Sequence, residues 1–91
     1  MIRTFRHRGL KELFEKRKTS RVEKRLHARI IRRLDYLDAA RAPQDMNLPG
    51  FNFHKLQGKP VRYTVHVNGP WCITFAFDDG DAFDVDLENY H

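Results

Sequence analysis

Five histidines, His7, His27, His54, His66 and His91, are the most chemically versatile side chains in this 91-residue sequence. Imidazole titrates near neutral pH, so one or two histidines at a scissile bond can serve as general acid and base. Metal binding would want paired or clustered ligands, and these five are spread singly along the chain. Cleavage of RNA is a natural use. A base takes the 2′-OH proton, the oxygen attacks the adjacent phosphorus, and an acid protonates the leaving 5′-oxygen. Spacing alone favours a plainer reading of each, a surface or hydrogen-bonded histidine, and reads Tyr90 and His91 as a frayed chain end.

Other chemistries find less support. No phosphate-cradling glycine loop, dinucleotide fingerprint or HExxH pair occurs. The run Asp78-Asp79-Gly80-Asp81 lacks the ligand spacing of a calcium loop and reads as a hairpin turn. Cys72 falls in a strand pattern with no base at a recognisable spacing, so it reads as a structural thiol. As the sole cysteine it also excludes an intramolecular disulfide framework.

The elements that must position these groups belong to one small domain, residues 1–91. A chain of 10.9 kDa with 41% hydrophobic and 32% charged residues has the mix of a globular protein rather than a disordered tail. It can bury roughly 60–68% of its unfolded surface in one core. No apolar run is long enough for a membrane-spanning helix, and residues 1–14 hold no apolar stretch of signal-peptide length, so a cytoplasmic protein is expected. The net charge of +5 conceals a division. Residues 1–33 carry thirteen Lys/Arg and three Glu, whereas residues 34–91 carry four Lys/Arg and nine Asp/Glu. Such polarity suits a polyanionic partner on one side, with RNA, DNA or the ribosome foremost; a solvated helix face is the competing reading.

Residues 2–5, with β-branched Ile2 and Thr4, predict a short opening strand. Gly9 interrupts, and Leu10, Leu13 and Phe14 recur at helical spacing in a short first helix. Ser20 and Glu23 form a capping-box signature ahead of Val22, Leu26, Ile30, Leu34 and Leu37, which predicts a second helix over residues 21–39. Its other face carries Lys24, Arg25, Arg29, Arg32 and Arg33. Residues 41–50, with two prolines, a glycine and an asparagine, read as a loop. The period then becomes alternating: Val61, Tyr63, Val65 and Val67; Trp71, Ile73, Phe75 and Phe77; Phe83, Val85 and Leu87. The expected fold is α+β, in the order β-α-α-β-β-β, with two N-terminal helices packed on an antiparallel sheet. The sheet's second face, with Arg62, Thr64, His66, Cys72, Thr74, Asp84 and Asp86, is expected to be open and polar, bounded by His54 and the Tyr90-His91 end.

Three segments carry a family resemblance: HKLQG (residues 54–58), NGPWCITF (residues 68–75) and DDGDAFDVDLENYH (residues 78–91). With the opening IRTFRHRGLKELFEK (residues 2–16), the chain resembles the HigB-type killer proteins of the RelE/ParE toxin superfamily over almost its whole length. The closing GDA-aromatic run that ends in Tyr-His is the most specific part.

The resemblance implies a compact RelE-like fold and the toxin of a type II toxin–antitoxin system. It implies a ribosome-dependent mRNA endoribonuclease that inhibits translation by metal-independent attack of the 2′-OH, with no cofactor and no membrane partner. A HigA-like helix-turn-helix antitoxin, the ribosomal A site and mRNA are the implied partners, with a toxin–antitoxin hetero-oligomer. His54 and His91 match catalytic positions, and Tyr90 matches the aromatic beside the final histidine at the catalytic site. Lys55, Lys59, Arg62 and His66 become candidate phosphate contacts, and Arg25, Arg29, Arg32 and Arg33 a ribosome-binding surface. The chain departs from the family pattern at Gln57 in place of Lys, at His66 and Cys72 in place of Arg, and at Asn89 in place of Asp. Cations near a scissile phosphate stabilise charge, and one such donor is worth roughly 10²–10³ in rate. Two further readings therefore stand beside the nuclease: a weakly catalytic homologue that acts by binding ribosome or antitoxin, and a ParE-like inhibitor of gyrase.

Overall fold

A computed structural model describes residues 1–89, and the candidate site residues Tyr90 and His91 lie outside them. Leu10 and Leu13 place helix α1 at Arg8–Lys16, and both leucines are fully buried. His7 caps it, its Nδ1 accepting from the Leu10 amide at 3.3 Å. Arg17 ends it in the left-handed region at φ +65°, donating its backbone N–H to the Leu13 carbonyl. Gly9 does not interrupt this helix but lies in its first turn. A Cβ there would come within 2.8 Å of both Val22 Cγ2 and His7 Cε1, so glycine is what lets the next segment cross so closely.

The second helix, α2, is His27–Ala39, shorter at its start than the expected residues 21–39. A 3₁₀ turn at Lys24–Leu26 precedes it, and the Ser20/Glu23 capping box does not form. The Glu23 carboxylate accepts from Arg25 Nε at 2.6 Å, while Thr19 Oγ1 takes the Arg21 amide at 3.0 Å. Val22, packed over Gly9, keeps this stretch off the helix. Tertiary packing here overrides a local helix signal. The expected apolar stripe nevertheless holds: Leu26, Ile30, Leu34 and Leu37 are all buried. The loop of residues 41–50 contains a second 3₁₀ turn, Pro43–Met46, where Asp45 Oδ2 accepts from the Arg41 and Ala42 amides.

Four strands follow in one antiparallel sheet of order β1-β2-β3-β4: β1 His54–Lys55, β2 Tyr63–Asn68, β3 Trp71–Asp78 and β4 Asp81–Asn89. Asp79 and Gly80, both at positive φ, turn β3 into β4, as the Asp-Gly pair predicts. The two-residue β1 falls where the sequence reading placed no strand. The opening strand expected at residues 2–5 is instead two isolated parallel bridges, Ile2 to Ala82 and Phe5 to Val85. Between them β4 bulges: Thr74 pairs with Asp86 and Ala76 with Phe83, leaving Asp84 and Val85 opposite one residue, with Asp84 at φ +50°. The bulge bends β4 and keeps residues 2–5 from laddering continuously along it. Leucines and isoleucine of the two helices meet Val65, Val67, Ile73, Phe75 and Val85 in the core. Among the described residues no helix is long and apolar enough to cross a membrane.

Candidate active site

Residues directly paired in an antiparallel ladder project to the same face. The register therefore sets two cross-strand rows side by side: His54, Thr64, Thr74 and Asp86, then His66, Cys72 and Glu88. The opposite face carries Tyr63, Val65, Ile73 and Phe75 toward the helices.

The polar face is less open than alternation suggests. Thr64 and Thr74 are both buried, and the side chain of Arg62 reaches Thr74 Oγ1. Arg62 Nη2 donates to that hydroxyl at 2.9 Å and to the Asp84 carbonyl at 2.8 Å. Thr74 in turn donates to Glu88 Oε2 at 2.5 Å. Guanidinium, hydroxyl and carboxylate thus form one directed chain, with charge-assisted bonds at both ends. Burial pushes the Arg62 pKa below its ordinary value and Arg6 adds to this, while Glu88, Asp84 and Asp86 oppose. A guanidinium has five N–H donors. Two are engaged here, and those on Nε and Nη1 have no partner among the described residues.

The remaining candidates divide. His54 is exposed at the sheet edge, its Nδ1 3.1 Å from the Asn52 carbonyl. His66 is half-buried, its Nε2 2.9 Å from the Gly69 carbonyl. Lys55, one residue after His54, begins from the opposite face, and Lys59 is exposed in the loop between β1 and β2. The register thus sets His54 and His66 on the sheet face that Arg62 reaches and leaves the two lysines at the margin. Asn89, joined to Tyr90, pairs with Trp71 at the end of β4. Among the described residues no group of three or more His, Cys, Asp or Glu side chains is arranged to hold a metal ion.

The arginines expected to meet the ribosome also divide. Arg25, Arg29 and Arg32 are exposed, with Arg25 paired to Glu23 and Arg32 lying 5.8 Å from the Tyr36 ring centroid. Arg33 is turned inward and only 6% exposed. Its Nε donates to the His66 carbonyl at 2.6 Å, its Nη1 to the Arg29 carbonyl at 3.1 Å, and its guanidinium lies 4.4 Å over Phe51. The His66 amide donates to the Phe51 carbonyl at 2.6 Å, so Arg33 and Phe51 together grip the strand that carries His66. Arg33 is therefore a tie between α2 and β2, and the solvent-facing basic surface consists of its neighbours.

Sequence reasoning placed Thr64 and Thr74 on the polar face but missed their burial, and it missed Glu88. Glu88 shares the period of Asp84 and Asp86, which is the signal that could have found it.

A small α+β fold with two histidines and a guanidinium held on one sheet face suits RNA chemistry. The chain belongs to the HigB-like toxin family, described as RelE-like toxins of the type II toxin–antitoxin system HigB, which it matches over residues 3–91. It is thus a type II toxin, a class that works against an antitoxin partner. It is 40% identical over 92 aligned positions, covering the whole of both chains, to the protein named Endoribonuclease HigB of Proteus vulgaris.

Proposed function

We propose that this toxin is a cytoplasmic endoribonuclease, a single domain over residues 1–91, that cuts mRNA in the ribosomal A site. RNA cleavage follows from the full-length kinship with Endoribonuclease HigB. The observation that carries the mechanism is the register that sets His54 and His66 on the same sheet face as Arg62. His54 and His91 share the proton transfers, one taking the 2′-OH proton and the other protonating the leaving 5′-oxygen. Tyr90 positions the nucleotide by stacking. Arg62 supplies charge at the phosphate, with His66 on the same face and Lys55 and Lys59 at its margin. The attack needs no metal. Arg25, Arg29 and Arg32 meet ribosomal RNA, and Arg33 supports that helix from within. A HigA-like helix-turn-helix antitoxin holds the toxin inactive in a hetero-oligomer.

Single-turnover cleavage on programmed ribosomes tests this. Wild type should release a 2′,3′-cyclic phosphate end, unchanged by a chelator. His54→Ala and His91→Ala should each lower the rate by about 10²–10⁴, the usual contribution of a positioned acid or base. Both should still bind ribosomes and antitoxin. A wild type that cuts no faster than His91→Ala makes the protein a binding toxin. Blocked replication with normal translation on induction makes it an inhibitor of gyrase.

A further inference from the structure

The cross-strand row of His66, Cys72 and Glu88 holds no lysine or arginine, so charge for a phosphate on that face must come from elsewhere. Arg62 is the cation that the fold has fixed on that face, by two hydrogen bonds from one nitrogen. One of those bonds ends on Thr74, whose hydroxyl accepts from Arg62 through a lone pair while donating its own proton to Glu88. Glu88 thus sets the direction of the Thr74 hydroxyl, and Thr74 sets the direction of the guanidinium. Thr74 is fully buried, so the pivot has little freedom to wander. The result leaves Nε and Nη1 facing no partner among the described residues.

We propose that Thr74 and Glu88 are positioning residues for Arg62, holding its guanidinium so that the N–H groups on Nε and Nη1 meet the scissile phosphate of the RNA. This rests on the reading of Arg62 as a phosphate contact given above. Neither residue touches substrate. Their role is preorganisation: a donor held in place before the phosphate arrives needs no reorganisation as charge develops.

A double-mutant cycle tests it, run on the full chain in single-turnover cleavage and, in parallel, in binding to a short RNA with a 2′-deoxy scissile nucleotide. Thr74→Val should lower the cleavage rate by roughly 10- to 100-fold, since a small displacement of a catalytic group can cost that much. It should have almost no further effect in the Arg62→Ala background, whereas a purely structural role gives the same loss in both. Thr74→Ser, which restores the hydroxyl, should restore the rate. Should Thr74→Val fail to fold, Glu88→Gln enters the same cycle. Equal losses in the two backgrounds, or no loss from Thr74→Val, overturn the positioning role alone. An Arg62→Ala that leaves both cleavage and RNA binding unchanged overturns the phosphate contact and the positioning role with it. If wild type binds RNA but does not cut it, the binding arm decides the cycle by the same criterion.

Discussion

Thr64 and Thr74 stand directly opposite each other on β2 and β3, both buried, and their hydroxyls are in opposite states. Thr74 Oγ1 accepts from Arg62 and donates to Glu88, whereas Thr64 Oγ1 has no partner among the described residues. A buried hydroxyl without a hydrogen bond keeps its desolvation cost and gains nothing in return. One row of the sheet thus holds a satisfied polar atom beside an unsatisfied one.

The contrast is measurable by denaturant unfolding. Thr64→Val should be neutral or stabilising by up to about 1 kcal/mol, because it removes an unpaired polar atom while keeping the branched shape. Thr74→Val should destabilise by about 1.5–3 kcal/mol, the range for a hydrogen bond to charged groups. Equal effects would mean that the two hydroxyls are solvated alike.

Arg32 and Arg33 adjoin in sequence and should differ in kind. Arg33→Ala removes two charge-assisted bonds and the cover over Phe51, and should cost about 2–3 kcal/mol of stability. Arg32→Ala should leave stability within about 0.5 kcal/mol. It should instead weaken ribosome co-sedimentation and reduce the slope of log affinity against log salt by roughly 0.7–0.9 for one lost phosphate contact. Arg32→Ala binding with an unaltered salt slope would place the docking surface elsewhere.

Gly9→Ala reverses the usual expectation for a helix. Alanine normally gains about 1 kcal/mol over glycine in a helix interior. Here its Cβ would meet Val22 and His7 at 2.8 Å, so the substitution should lower stability by about 1–3 kcal/mol through overpacking. Thermal melts of the two proteins decide the sign.

Asp81 gives a pH signature. Its carboxyl is held below the ordinary 3.8, chiefly by the hydrogen bond from Arg3 Nε at 3.0 Å, with burial opposing and the Met1 amino group adding. Its folded pKa is depressed, so the unfolded chain binds more protons in the window between the two values, and stability rises with pH there. The contribution is complete above the ordinary carboxylate range and is lost as pH falls through the lowered value. Asp81→Asn should therefore melt below wild type near neutral pH, and the gap should close in acid. A gap constant with pH would show that the Arg3 pairing contributes nothing.

Periodicity was enough to place the two helices, though not the start of α2, and the β2–β3–β4 meander, and the Asp-Gly pair placed the turn at Asp79-Gly80, because each is specified by neighbours a few residues apart. The buried stripe Leu26, Ile30, Leu34 and Leu37 and the alternation through Val65, Ile73 and Phe75 are such local signals. The resemblance in residues 2–16, 54–58, 68–75 and 78–91 likewise carried the family, since motif residues are read directly. Tertiary structure decided what depends on distant partners. Arg33 belongs to the same basic run as Arg29 and Arg32, and only the approach of His66 and Phe51 turns it inward. Residues 2–5 have strand composition, but the bulge at Asp84 limits them to two bridges. Val22 follows the helical period, yet its packing over Gly9 delays α2 until His27. The chain from Arg62 through Thr74 to Glu88 joins three segments whose spacing in sequence says nothing of their contact. Hydrogen bonds between strands are fixed by register, and register is set by the whole sheet and the core beneath it.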